Sequence, residues 1–549
     1  MSRFHFCAAA IVLSMSPAQA ADSTPSTQVD ALFSEWAKPT SPGCAVAVMK
    51  DGKIVHERGY GMADLDHDIP ITPDTVFHVA SISKQFTAAS ILLLAEDGKL
   101  KVDEPARKYV TELPDFGVPV TIRQLANHTS GMRDQWNLLQ LAGWRYSLDL
   151  ITDDDVMRVL ERQKGLNFKP GSEYLYSNAG FTLLAQVVKR VSGKSIREFT
   201  TERIFTPLGM TQTHFRDDHA EIVKKMAYGY APKNGTFSLS NTQFDTTGAT
   251  SLLTTVRDLA QWDENFYQPK VGNAAFLAQM TESGVLTSGE KTGYGFGLWS
   301  GTYREQPIVY HGGSDAGYKA DIIRFPKQHF SVAATCNLST IVPGNLTRAI
   351  ADIYLAKDLK PKPEDKSVTL TDAELAARAG LYLNSRDEIA GLVKVSDKKL
   401  IVRFSPTAAK AYDLKPLGKD RFRIEGLPET LEFSDKGVKR VYDDVLAVPQ
   451  TFTRVAAATE FGLGGRELSD FAGVYRSDEI DATYTVAMEG DHLAISTLKR
   501  KPTALAPAST DLFDADFAKV RFTRDAQGKV SGLQFNTGRV RSFPLVKVK

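Results

Sequence analysis

Phe77-His-Val-Ala-Ser81-Ile-Ser-Lys84-Gln-Phe-Thr87 is the stretch from which both fold and chemistry are read. It opens the most apolar helical pattern of the chain, running from Ile82 to Asp97 and closed by Gly98. Ser81 and Lys84 stand three apart, so a helix sets them about one turn from each other on one face. A serine hydroxyl is a poor nucleophile until a base takes its proton, and a desolvated lysine with a lowered pKa is such a base. The helix N-terminus adds positive potential and unpaired N–H groups beside the serine. Ser-x-x-Lys is short enough to arise about twice by chance in a chain of average composition. It recurs at Ser288/Lys291, Ser396/Lys399 and Ser496/Lys499, but those copies fall in a polar loop or in segments that read as strands and turns.

Two further groups extend the pattern. Tyr176-Ser-Asn178 follows the turn Pro170-Gly171-Ser172 and directly precedes a helix that begins at Ala179. A phenol at that junction can relay a proton between nucleophile and leaving group, and the Asn178 amide can bond a substrate carbonyl and the lysine. Tyr382-Leu-Asn384 repeats the spelling, but its tyrosine is a repeated core position of the tail. His311-Gly-Gly313-Ser314 follows an apolar strand pattern, Ile308-Val-Tyr310, and its glycines let a ligand approach the strand backbone closely. The literal Lys291-Thr-Gly293 lies in a polar turn and reads as a decoy.

In this order the three motifs resemble the penicillin-recognising serine hydrolases, in the branch that holds class C β-lactamases, D-alanyl-D-alanine carboxypeptidases, esterases and D-aminopeptidases. Asp103-Glu-Pro105, Leu125-Ala-Asn-His128-Thr-Ser-Gly131, Gly248-Ala-Thr-Ser-Leu252 and Tyr294-Gly-Phe-Gly297 are similar to secondary phrases of that family. The resemblance implies an α/β fold of the α+β type: an antiparallel sheet flanked by helices, a helical domain beside it, and the site in the cleft between. It implies catalytic roles for Ser81, Lys84 and Tyr176, and substrate contacts from Asn178, His311 and Gly313. The backbone N–H groups of Ser81 and Ser314 would form the oxyanion hole. No cofactor and no metal are implied, and His214 and His219, which enclose Asp217 and Asp218, read as an acidic surface turn without a third ligand motif.

The expected sheet combines a hairpin over residues 43–59, alternating around Asp51-Gly52, with strands at 295–299, 308–310, 320–325 and 330–335. Helices over 151–163, 180–191 and 256–266 would pack against it. This catalytic unit is placed at 27–356, and the charged, proline-bearing stretch that follows is placed at 357–368 as a linker. Beyond it the chain repeats itself. Asp387-Glu-Ile389 matches Asp478-Glu-Ile480, and Leu414, Pro416, Asp420 and Phe422 match Leu505, Pro507, Asp511 and Phe513 at the same offset. Short alternating runs between turn residues in both copies predict two small antiparallel β-barrels, at 369–456 and 466–549.

A catalytic domain followed by two barrels is similar to the bacterial D-aminopeptidases, in which a loop of the last barrel enters the cleft and its acid meets the substrate amine. The resemblance puts residues 505–517 in that place and makes Asp511 the substrate-binding candidate, although Asp420 holds the same repeat position and offers the plainer reading of a turn residue. The expected activity is therefore an acyl-enzyme hydrolase that releases N-terminal D-amino acids from peptides or amides. An esterase or D-alanyl-D-alanine carboxypeptidase on the same machinery is the alternative, and a non-catalytic peptidoglycan- or peptide-binding protein is another.

The bulk properties fit an exported enzyme. At 549 residues the chain is too long for one core. Its 66 Lys and Arg nearly balance its 65 Asp and Glu, which leaves no electrostatic footprint for nucleic acid or an anionic membrane and favours a small peptide, amide or ester as partner. A homodimer stays open. Residues 1–20 read as a signal peptide cleaved after Ala20, which predicts a periplasmic or secreted protein, and no later run approaches the roughly 18 apolar residues of a spanning helix. Cys44 and Cys336 then either pair or stay buried as thiols. In the resembling fold their strands are antiparallel neighbours, which leaves room for one disulfide.

Overall fold

Asp51 and Gly52 both take left-handed backbone, with φ of 51° and 74°, the geometry a two-residue hairpin requires. The computed structural model describes residues 24–362, 365–442, 449–456 and 458–549; the expected signal peptide lies outside the described residues. The hairpin joins β1 (Cys44–Lys50) to β2 (Lys53–Tyr60). Four later strands complete the sheet: β3 (Trp299–Tyr303), β4 (Gln306–Asp315), β5 (Tyr318–Phe325) and β6 (Phe330–Cys336). Their order is β3-β4-β5-β6-β1-β2, antiparallel throughout. β1, whose first six residues are all buried, sits inside the sheet as its apolar run demands. The first and last of these strands in sequence pair in register from Cys44 opposite Cys336, and those two cysteines form a disulfide.

The expected strand at 295–299 is corrected. Gly297 has φ of 73°, and a Cβ there would stand 2.6 Å from the carbonyl oxygen of Lys84. The phrase is a turn wedged against the start of a helix, and the strand begins only at Trp299. β3 then pairs with β4 from Gln306 to Tyr310, so the half of β4 from His311 to Asp315 runs past the end of its neighbour. This is the sheet edge that faces the nucleophile.

Between the early hairpin and the late strands lie the helices that position the site: α1 (Ser83–Glu96), α2 (Gln135–Leu141) and α3 (Asn178–Ser192). α1 is buried on every side from Ser83 to Leu94, which accounts for its having no polar face. A short 3-10 turn, Ala80–Ile82, leads into it. The helices Asp153–Glu161 and Val256–Glu264 fall where periodicity predicts them.

The tail forms two closed eight-stranded barrels, the first from Gly380–Asn384 to Gln450–Arg454 and the second from Gly473–Ser477 to Phe543–Lys547. The repeat shows in their details. Gly380 and Gly473 share φ values of 154° and 153°. The hydroxyls of Tyr382 and Tyr475 each donate to the carbonyl four residues back, to Arg378 at 2.8 Å and to Phe471 at 2.7 Å. Their settings differ. The core of the second barrel belongs to one continuous apolar cluster with the helical part of the catalytic domain, whereas the first barrel keeps a separate core and touches the second through Leu381, Ala390 and Leu392 against Ala508 and Leu512. Among the described residues no helix is long and apolar enough to cross a membrane.

Candidate active site

Ser81 sits in the 3-10 turn just ahead of α1, and the residue before it, Ala80, is held at φ of 49°, a left-handed conformation that costs free energy for a residue with a Cβ. Bonds on either side hold the turn. Ser83 Oγ donates to the Ala80 carbonyl at 2.5 Å and accepts from the Leu252 N–H at 3.0 Å. β4 presses on the same turn: a Cβ at Gly313 would lie 2.2 Å from the Val79 carbonyl oxygen, so only glycine allows this approach. Gly313 and Ser314 are thereby brought to the nucleophile, and both line the cleft with it.

Lys84 is fully buried, and its Nζ lies 3.0 Å from Ser81 Oγ, 2.9 Å from Asn178 Oδ1 and 2.6 Å from the Ala249 carbonyl oxygen. Burial, and then the nearby Arg539 charge, hold its pKa well below the ordinary lysine value. A neutral amine has two N–H bonds and one lone pair. With two acceptors fixed at Asn178 and Ala249, the lone pair is left for the Ser81 hydroxyl, and the geometry is that of a base.

Asn178 is oriented in turn by Asp134, whose Oδ2 accepts from both the Asn178 backbone N–H at 2.7 Å and its Nδ2 at 2.8 Å. That fixes Oδ1 toward the lysine. Asp134 is buried and also caps α2, accepting from Trp136 N at 3.0 Å. Sequence reasoning missed it, since an aspartate before a helix reads as an ordinary cap.

The phenol of Tyr176 lines the cleft together with Ser81, and burial raises its pKa, so it stays protonated. Its ring packs against His128, at 4.1 Å between centroids, and the guanidinium Cζ of Arg539 stands 4.8 Å from the ring centre. Lys84 Nζ is 5.0 Å from the same ring. His311 lines the cleft from β4 but is engaged elsewhere: its Nδ1 donates to the Gly312 carbonyl at 2.6 Å, and Nε2 accepts from the Tyr294 hydroxyl at 2.9 Å. Burial and the Lys84 charge push its pKa down to about 3, so it offers no positive charge to a ligand.

Asp511 is corrected. It lies in the turn between the strands Arg500–Ser509 and Leu512–Asp514 of the second barrel, where its carboxylate accepts from Arg524 Nη2 at 2.8 Å and Nε at 3.0 Å. The turn belongs to the face that meets the first barrel, and Asp511 is absent from the cleft lining. Asp420, its counterpart in the first barrel, likewise bonds an arginine, Arg378. The second barrel does enter the cleft, by another loop: residues 537–542, which join Val530–Asn536 to Phe543–Lys547, bring Arg539 to the wall beside Ser81, Tyr176 and Asn178. The cleft encloses about 870 Å³, and its remaining wall includes Tyr146, Thr250, Asp315 and Lys319. The decoys stay outside it: Lys291 is exposed in its turn, and Tyr382 serves the first barrel.

The profile of the beta-lactamase family matches residues 29–356, well over half of the chain. This chain belongs to the beta-lactamase family. A second profile, a domain of unknown function (DUF3471), matches residues 465–543, the stretch of the second barrel. The chain is similar to a D-aminopeptidase of Gluconobacter oxydans, 26% identical over 455 residues and covering 82% of each chain. It is also similar to penicillin-binding protein 4* of Bacillus subtilis, 27% identical, covering 71% of this chain and 89% of that one. Among solved structures it resembles the octameric penicillin-binding protein homologue from Pyrococcus abyssi, at 25% identity and a TM-score of 0.56, covering 78% of this chain and 99% of that one.

Proposed function

We propose that this beta-lactamase family member hydrolyses a peptide, amide or ester bond through an acyl-enzyme on Ser81. The observation that carries the reading is the buried Lys84 amine, with acceptors for its two N–H bonds and its lone pair at the Ser81 hydroxyl. Lys84 takes the hydroxyl proton as Ser81 Oγ bonds to the substrate carbonyl carbon. The oxyanion that forms is stabilised by the N–H groups of Ser81 and Ser314, donors of the kind that often supply the largest single contribution to acyl transfer. Tyr176 hands its proton to the departing nitrogen or oxygen as that bond breaks, and the Lys84 ammonium restores it. Water then repeats the sequence on the acyl carbon and frees Ser81.

The narrower expectation, release of N-terminal D-amino acids, draws support from the D-aminopeptidase relatives and loses what it took from Asp511. Intact-mass spectrometry of protein quenched during turnover of an activated D-alanyl ester tests the proposal. An acyl adduct on Ser81, and neither adduct nor turnover in Ser81→Ala, is expected. Normal turnover by Ser81→Ala would overturn it.

A further inference from the structure

We infer that His78, Thr250 and Asp315, held in place by Tyr146, form a buried hydrogen-bonded brace that sets the spacing of the two oxyanion-hole donors, the N–H groups of Ser81 and Ser314. The inference rests on the acyl-enzyme reading above and adds positioning residues to it.

Each end of the brace is fastened beside one donor. At the first end the Ala80 N–H donates to His78 Nδ1 at 3.3 Å. Ala80 is the residue with left-handed backbone, and its torsions aim the next peptide, whose N–H is that of Ser81. A chain does not keep such a conformation unaided at a residue with a Cβ, so the bond that fixes the Ala80 amide also fixes the direction of the Ser81 N–H. At the second end Asp315 follows Ser314 and closes β4. Past Tyr310 this strand has left β3 behind and is paired with β5 alone, so the sheet holds it from one side only. The brace supplies the hold on the other side.

The bonds between the two ends run in one direction. Because Nδ1 accepts from Ala80, the neutral His78 ring carries its proton on Nε2 and donates it to Thr250 Oγ1 at 3.3 Å. Thr250 Oγ1 donates in turn to Asp315 Oδ2 at 2.7 Å, and the Tyr146 hydroxyl donates to Asp315 Oδ1. His78, Thr250 and Asp315 are all buried. Burial holds the His78 pKa below its ordinary value against the pull of Asp315, which keeps the ring neutral, and it raises that of Tyr146, which keeps the donated proton in place. Tyr146 is itself packed edge-on against Trp136 and Phe244, at 5.4 and 5.1 Å between ring centroids. The β4–β5 hairpin meets His78 a second time through the Tyr318 ring, at 5.4 Å. Burial alone asks only that each polar group find some partner. Here groups from widely separated segments are joined into one line whose ends adjoin the two donors.

The test follows acylation of Ser81 in the full-length protein by the p-nitrophenyl ester of D-alanine, isotope-labelled at its carbonyl carbon. His78→Phe keeps a ring and removes both bonds; His78 is absent from the cleft lining, so its loss does not act by direct contact with substrate. Thr250→Val keeps the shape and removes the middle hydroxyl. Each is expected to slow single-turnover acylation about ten- to hundred-fold, as a displaced donor would, with the half-saturating ester concentration unchanged. The double variant should be no slower than the slower single one, because the bonds act as a unit. Rapid-mixing infrared spectra give a readout that a merely structural role would not move. Hydrogen bonds to the acyl carbonyl lower its stretching frequency, so the band should shift upward in both variants, and Thr250→Ser should restore band and rate. If His78→Phe fails to fold, the Thr250→Val and Thr250→Ser pair decides. Wild-type rates in the variants, losses that multiply in the double variant, or slow acylation with an unmoved carbonyl band would overturn the brace, while labelling of Ser81 in the wild type would leave the acyl-enzyme standing. No acyl adduct in the wild type would overturn both.

Discussion

The two barrels are copies of one plan, with eight strands each, a glycine of matching φ and a core tyrosine bonded four residues back, but they meet the rest of the molecule differently. The first has a closed core of its own. The second shares its core with the catalytic domain, buries the Arg133–Glu479 ion pair against it, and sends the Tyr484 hydroxyl to the Leu141 carbonyl at 2.6 Å. Duplication kept the fold and changed the surfaces. A barrel joined to the catalytic core can place a side chain such as Arg539 firmly in the cleft, because the frame that carries it cannot drift. A barrel with an independent core lacks that hold.

The most severe way to break this contrast is a chain that ends at residue 465, keeping the first barrel and losing the second. It is expected to lose ester hydrolysis and cooperative melting together, since truncation opens a continuous core. A soluble, active product would show instead that the second barrel is an appendage like the first.

A single substitution probes the same difference more gently. Glu479→Gln leaves Arg133 charged and buried, and breaking one side of such a pair typically costs about 3–5 kcal/mol. Asp420→Asn breaks the bond to Arg378 in the first barrel, where the guanidinium is buried but the acid is largely exposed, and should cost less than Glu479→Gln. Denaturation midpoints of the two variants, compared with wild type, check this ordering.

The pH profile sharpens the comparison further. Lys84 must be neutral to act as the base, so kcat/KM should rise with pH through its depressed pKa. The Arg539 charge is one cause of that depression, so Arg539→Gln should let the pKa climb and move the acid limb to higher pH. Lys410→Gln, in the first barrel, should leave the limb in place. The smallest expected effect is that of Asp511→Asn, which should leave the ranking of amides, esters and thioesters as it was, as should Asp420→Asn.

The sequence carried Ser81, Lys84, Tyr176, Asn178 and Gly313 because each belongs to a local pattern, a helix start or a strand edge, whose geometry follows from spacing. The repeat likewise announced two barrels. What stayed hidden depends on contacts between distant segments. Asp134 looks like a helix cap, and Arg539 is one cation in a polar Thr-Gly-Arg turn among 66 Lys and Arg. An internal repeat tells which strands correspond but not which turn faces a neighbouring domain, so residues 505–517 stood in for 537–542. The same limit produced the strand at 295–299: apolar residues and glycines alternate there, and only the approach to the Lys84 carbonyl makes Gly297 a turn.

Cys44 and Cys336 join the opening and closing strands of the catalytic sheet, so the disulfide closes a covalent ring across a sequence separation of 292, with the two barrels hanging from it. In the chain-entropy view, closing a loop of that size removes on the order of 5 kcal/mol of freedom from the unfolded chain. The ring also changes what a protease can accomplish. A single cut anywhere in the helical middle leaves one connected molecule, with nucleophile, edge strand and barrels still linked, and only reduction releases the fragments. In an environment rich in proteases, the protein would survive a first nick as two disulfide-linked chains whose combined mass is that of the original plus one water.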